Sequence, residues 1–287
     1  MTYEEIVSKI KSLEIQGAEN IAKKAVEAFG IKLKETRDKT TLKTYVKELE
    51  ETRATEPALR NALHYCLENY EKDKNVVETV MNHFKDSKEK IAEIGAEKIH
   101  DGTTVFTHCH SSTVTKILIK AWRDGKKFRV INTETRPRYQ GRITAEELAA
   151  EGIPVTHFVD SAGRSMMPKA DLFLFGCDAV TAEGKLINKI GTESLVDRAH
   201  ELGIPAYSCT NSWKFNPKTV YGADEEIEQR DPDEVWENPP KGVEILNPAF
   251  EVSLPDKFTG VITELGIFKP ETLVLEVQKA YPWLVRA

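Results

Sequence analysis

The chain has 287 residues, with 40 basic against 46 acidic side chains and a formal net charge of −6. That balance argues against a nucleic-acid binder and against a protein held electrostatically on a membrane, but not against small anionic ligands, whose binding local donors decide. A content of 40% hydrophobic and 30% charged residues is that of a globular protein, and the length suits two domains, because single cores stop growing at roughly 250–300 residues.

No stretch approaches the roughly 18 apolar residues of a membrane span. The N-terminal MTYEEIVSKIKSLE is charged rather than signal-like, so a cytoplasmic protein is expected. Cys66, Cys109, Cys177 and Cys209 lack the paired close spacing of a zinc site, and disulfides are not expected in a reducing compartment.

Residues 1–100 read as an all-helical domain. Thr2 and Glu5 form a capping box, in which hydroxyl and carboxylate each satisfy a free backbone N–H. After Gly17 the apolar spacing resumes at Ile21, Ala25 and Phe29, and Gly30 is expected to stop it. Leu42, Tyr45, Val46 and Leu49 make the i, i+3, i+4, i+7 stripe of a second helix. Pro57 opens a third, carrying Leu59, Leu63, Cys66 and Leu67, and a long fourth carries Val77, Val80, Met81, Phe84, Ile91 and Ile94.

At His100, Asp101 and Gly102 the helical period breaks, and residues 101–287 read as a Rossmann-like α/β domain with a mostly parallel sheet. Strands are expected at 104–107, 128–132, 155–159, 172–175 and 204–208. Helices are expected at 114–122, 144–150 and 193–202, with Thr144 and Glu147 as a second capping box. The run LFLF at 172–175 is apolar throughout, as in a strand buried on both faces. This alternation implies a parallel sheet with right-handed crossovers. Residues 243–246 and 260–263 are late strand candidates, and the acidic, proline-containing stretch 224–242 reads as a surface loop.

Open parallel sheets bind ligands at the carboxyl ends of their strands, and the chemistry-bearing residues gather there. The first strand ends in THCHSS, with Cys109 between His108 and His110; the second ends in NTETR, closing on Arg136; the fourth ends in Gly176, Cys177 and Asp178. A thiol, a carboxylate and an arginine therefore converge without being near in sequence. Cys109 stands just ahead of a helix N-terminus, where a thiolate is favoured. His108 and His110 invite a metal reading, but two-residue spacing on an extended strand points both alike and away from Cys109, so they read as orienting or packing groups. The chain has no dinucleotide fingerprint, phosphate loop or G-x-S-x-G elbow.

The runs THCHS, INTETRPRYQGRITAEELAAEGIPV, VDSAGRSMMPKADLFLFGCDAVTAEGKLINKIGT, KFNPKTV and LNPAFEVSLPDKFTGVITELGI together resemble archaeal ribose-1,5-bisphosphate isomerases. That family lies in the superfamily of methylthioribose-1-phosphate isomerase and the alpha, beta and delta subunits of translation initiation factor 2B. The likeness spans almost the whole chain. It implies an aldose-ketose isomerase that converts α-D-ribose 1,5-bisphosphate to D-ribulose 1,5-bisphosphate through ring opening and a cis-phosphoenolate, with no metal or redox cofactor. Matched position by position, Cys109 falls on the family's catalytic cysteine and Asp178 on its catalytic aspartate. Asn188 and Lys189 fall on substrate-contacting positions, and Gly17, Ala18 and Arg53 on the region that holds phosphate from the N-terminal side. Arg136 and Lys214 are further candidates for the anion lining, and Gln16 stands where the family usually has arginine. Asp178 can act as the ring-opening acid if burial among neighbours such as Phe173 and Phe175 raises its pKa. The likeness also implies a homo-oligomer, dimer or hexamer, acting on a phosphorylated pentose. A non-catalytic initiation-factor-like subunit and an isomerase of another pentose 1-phosphate are the alternatives.

Overall fold

The computed structural model describes residues 1–53, 55–225 and 227–285. Five helices come first: α1 (Tyr3–Lys11), α2 (Ala18–Glu35), α3 (Lys39–Glu50), α4 (Pro57–Asn69) and α5 (Val76–Ala96). Glu5 N–H donates to Thr2 Oγ1 at 3.2 Å and Thr2 N–H to Glu5 Oε2 at 2.8 Å, so the expected capping box starts α1. Ile21, Ala25, Phe29, Leu42, Leu49, Leu59, Leu63, Val80 and Phe84 are buried in one core, as their spacing requires. Gly30 does not end α2, which runs on to Glu35. A Cβ there would meet Val77 Cγ2 at 3.0 Å, so the glycine serves close packing against α5.

The sheet region follows as β1 (Thr104–Thr107), α6 (Ser112–Arg123), β2 (Arg129–Thr133), α7 (Gln140–Ala150), β3 (Val155–Phe158), α8 (Gly163–Met166) and β4 (Leu172–Phe175). Next come β5 (Ala179–Val180), β6 (Leu186–Lys189), α9 (Thr192–Glu201), β7 (Ala206–Cys209), β8 (Phe250–Ser253), β9 (Gly260–Thr263), β10 (Gly266–Phe268) and α10 (Pro270–Ala280). Seven strands form one sheet in the order β10-β9-β7-β4-β1-β2-β3, parallel except for β10. This is the helical N-terminal region followed by a Rossmann-like, mostly parallel sheet that the sequence pattern predicts. β5, β6 and β8 make a separate antiparallel sheet.

The chain winds outward from β1 through β2 to β3, then returns to place β4 on the other flank of β1. The winding direction reverses between β1 and β4, and at such a reversal the connections diverge and leave a crevice beyond the strand ends. Val105, Phe106, Phe173 and Phe175 are fully buried and anchor the two strands that frame it.

Residues 243–246 form no strand, and Leu246 is 74% exposed. The pairing strand is instead β8, which adds to β6. Helix α7 begins at Gln140, so Thr144 lies inside it rather than capping it. No described helix is long and apolar enough to cross a membrane.

Candidate active site

Cys109 follows β1 and Asp178 follows β4, so the two leave the strands on either side of the reversal. Both line a cavity of about 470 Å³. Cys109 has φ 66°, a left-handed conformation that costs a side-chain-bearing residue energy and is held from both ends. Its N–H donates to Thr135 Oγ1 at 3.0 Å, and its carbonyl accepts from Thr144 Oγ1 at 3.0 Å. On the β4 side, a Cβ on Gly176 would come within 2.9 Å of Ser111 Cβ. Glycine ahead of Cys177 and Asp178 thus lets the end of β4 approach the start of α6.

Two helix N-termini face the cavity: α2 through Gly17, Ala18 and Asn20, and α6 through Ser111, Ser112 and Thr113. Free N–H groups and the helix dipole make each an anion site. Gly17 has φ 82°, which suits glycine at the entry to α2. Lys88 on α5 braces both starts, pairing with Glu19 at 2.8 Å and donating to Ser112 Oγ at 3.1 Å. Gln16 lines the cavity while its amide donates to the Leu13 carbonyl at 2.8 Å.

The cations enter from separate elements. Lys189, on β6, is buried, with Nζ 5.3 Å from the Phe250 ring centroid. Asn188 beside it donates to Thr192 Oγ1 at 2.9 Å. Lys214 donates to the Cys177 carbonyl, next to Asp178. Arg53 is buried ahead of α4 and pairs with Glu228 at 2.7 Å. Arg230 completes that end.

Burial pushes the Cys109 thiol up to about 11, against the downward pull of Lys189 and the His110 N–H. In the free protein desolvation therefore outweighs the expected preference for thiolate. The Glu56 carboxyl is pushed up to about 8, by burial first and by the charge of Asp178 second. Among the described residues Arg53 Nε, Glu56 Oε2, Gln140 Oε1 and Arg230 Nε are buried without a hydrogen-bond partner, and all four residues line this cavity. Buried polar atoms are nearly always paired, and these four, of nine unpaired among the described residues, share one cavity, which suits a polar ligand.

Of the residues singled out from the sequence, Cys109, Asp178, Gln16, Gly17, Ala18, Arg53, Asn188, Lys189 and Lys214 come together around the cavity. Arg136 does not. The N–H groups of Thr135 and Arg136 are both held by Asp160, at 2.8 and 2.6 Å, and the Arg136 side chain turns outward to Tyr139 and the Val235 carbonyl. His108 and His110 do not point alike, because the strand ends at Thr107 and the left-handed Cys109 turns the chain. His108 is buried, with Nδ1 2.6 Å from Thr133 Oγ1 and Nε2 2.9 Å from the Ile190 carbonyl, which ties the end of β2 to the loop after Lys189. His110 lines the cavity and donates through Nδ1 to Thr144 Oγ1 at 3.1 Å.

Glu56, Arg230, Gln140, Thr144 and Lys88 were not legible as site residues. Glu56 precedes a helix-opening proline and Thr144 looks like a cap, so each had an ordinary local explanation. Arg230 lies in the stretch read as a surface loop.

The model of the initiation factor 2 subunit family matches residues 14–270. The ribose 1,5-bisphosphate isomerase of Pyrococcus furiosus is 38% identical over 97% of this chain and 94% of its own length. That of Methanocaldococcus jannaschii is 38% identical over 98% of this chain and 96% of its own. Among solved structures, a translation initiation factor eIF-2B of Pyrococcus horikoshii OT3 superposes with a TM-score of 0.83 at 31% identity, covering 93% of this chain and 97% of that one. With the family model covering most of its length, the chain belongs to the initiation factor 2 subunit family.

Proposed function

We propose that this chain is a sugar-phosphate aldose-ketose isomerase that converts α-D-ribose 1,5-bisphosphate to D-ribulose 1,5-bisphosphate. One observation carries the reading: a thiol and a carboxyl flank a single cavity at the sheet reversal, between two helix N-termini and among Arg53, Lys189 and Lys214. A substrate with a phosphate at each end matches a cavity with an anion site at each of two helix starts. The isomerase activity carried in the names of the archaeal relatives supports the same substrate.

In this reading Asp178 donates a proton to the ring oxygen as the bond from that oxygen to C1 breaks, leaving an electron-poor C1 bonded to the phosphate oxygen. The C2 hydrogen is then acidic. Cys109, having released its thiol proton to solvent before the step, takes it as a proton, and the C2–H electron pair forms the C1–C2 double bond of the phosphoenol. The C2 hydroxyl returns a proton to the Asp178 carboxylate, and Cys109 delivers its proton to C1, giving the ketone and restoring both groups. The positive charge developing at C1, with Lys189, offsets the cost of a buried thiolate that holds the resting thiol neutral.

A helical domain over residues 1–100, a catalytic domain over 101–287 and assembly as a homodimer or homohexamer belong to the same proposal, the last tested by light scattering. Purified protein incubated with a panel of pentose 1-phosphates and 1,5-bisphosphates, read as ketose formation, tests the reaction. Ribulose 1,5-bisphosphate is the expected product. Turnover of a 1-phosphate alone would move the substrate, and turnover of none would overturn the reading.

A further inference from the structure

Glu56 stands at the N-cap of α4, immediately before Pro57, yet its side chain makes no capping hydrogen bond. It turns instead into the cavity, 2% exposed, with Oε1 3.7 Å from Arg53 Nη2 and Oε2 buried without a partner. The charged groups that act on it come from four separate segments: Arg53 ahead of α4, Asp178 after β4, Lys214 after β7, and Glu228 from the 224–242 loop. Glu228 already holds Arg53 at 2.7 Å.

An ionised Glu56 would set a second carboxylate beside Glu228, at the end of the cavity where Arg53 already has one carboxylate partner. Like charges in a desolvated site are costly, and a phosphate dianion would add to the repulsion. A protonated Glu56 removes the conflict. It also supplies one O–H donor, and Oε2 has no acceptor among the described residues. A capping or packing role would have satisfied that oxygen within the fold.

Resting on the sugar-phosphate reading of the cavity, we propose that Glu56 determines specificity at the Arg53 end: its protonated carboxyl donates a hydrogen bond through Oε2 to a phosphate oxygen of the bound sugar phosphate, so that the phosphate enters together with one proton. The O–H of a neutral carboxyl there favours a group rich in acceptors. The titration of Glu56 lies near physiological pH, so the selection is pH-dependent.

The test is calorimetric titration of wild type and Glu56→Gln with ribose 5-phosphate between about pH 7 and pH 9.5. Wild-type affinity should fall about tenfold per pH unit above the Glu56 titration, and binding there should take up close to about one proton per site, measured in buffers of different ionisation enthalpy. Glu56→Gln, neutral at every pH, should lose both the slope and the uptake. Proton uptake is read on the wild type, so the test survives a variant that misfolds. Binding that is independent of pH, or a slope unchanged in Glu56→Gln, overturns the role of Glu56 alone. Absence of binding at every pH overturns the placing of a phosphate at the Arg53 end and the role of Glu56 with it, while turnover of ribose 1,5-bisphosphate decides the sugar-phosphate reading separately.

Discussion

Thr144 Oγ1 donates to the Cys109 carbonyl at 3.0 Å, which commits the hydroxyl proton and leaves the oxygen to accept from His110 Nδ1 at 3.1 Å. This relay, from one turn inside α7, holds the left-handed cysteine in place. Thr144→Val keeps the shape and removes the donor. A net hydrogen bond of about 0.5–1.5 kcal/mol translates into a kcat lower by roughly 3–10-fold, with KM nearly unchanged. Steady-state kinetics on the isomerase reaction check it.

The φ of 66° at Cys109 also predicts a trade between stability and function. Glycine adopts that conformation freely, whereas alanine carries the Cβ penalty. Cys109→Gly should unfold at higher denaturant than Cys109→Ala, by about 1 kcal/mol, with both variants inactive. Equilibrium urea denaturation of the pair measures the difference.

The resting thiol is held at about 11, so its thiolate fraction should rise tenfold for each unit up to that pH. Alkylation of Cys109 by iodoacetamide should therefore be about 100-fold faster at about pH 9 than at about pH 7. Cys66, Cys177 and Cys209 are buried, so mass spectrometry should find one modified site in the folded protein. A rate that levels off near neutrality would contradict the burial argument.

Glu56 gives a stability prediction whose sign follows from linkage. Its folded pKa, about 8, lies above that of an unfolded glutamate. Between about pH 4 and pH 8 the folded protein keeps a proton that the unfolded chain releases. Wild-type stability thus falls as pH rises through that window and levels off above it. Glu56→Gln lacks this loss, so its Tm should gain on wild type by on the order of 10 °C toward about pH 8, at roughly 1.4 kcal/mol per pH unit and 2–4 °C per kcal/mol. Thermal melts across pH read it directly.

Much of this arrangement was legible in the sequence, and the physical reasons differ by element. TVFT and LFLF stand out because strands buried on both faces need apolar residues at every position. Once their alternation with helices is seen, Cys109 and Asp178 fall on neighbouring strand ends. The small sheet of β5, β6 and β8 was not legible, because β5 is only two residues long and β8 pairs with β6 across a long stretch of intervening chain. Arg53 and Glu228 meet across 175 positions, so the acidic loop looked like solvent-facing surface. Thr144 and Glu147 carry the spacing of a capping box, but the helix starts four residues earlier at Gln140 and the hydroxyl serves Cys109.

The central claim is that Cys109 and Asp178 move protons in one isomerisation. The most direct measurement is ketose formation from ribose 1,5-bisphosphate by wild type, Cys109→Ser and Asp178→Asn, each confirmed folded by circular dichroism. The mechanism predicts ribulose 1,5-bisphosphate from the wild type and a kcat lower by roughly 10²–10⁴-fold in each variant, the usual contribution of a positioned acid or base. Turnover within about twofold of wild type in either variant would contradict it.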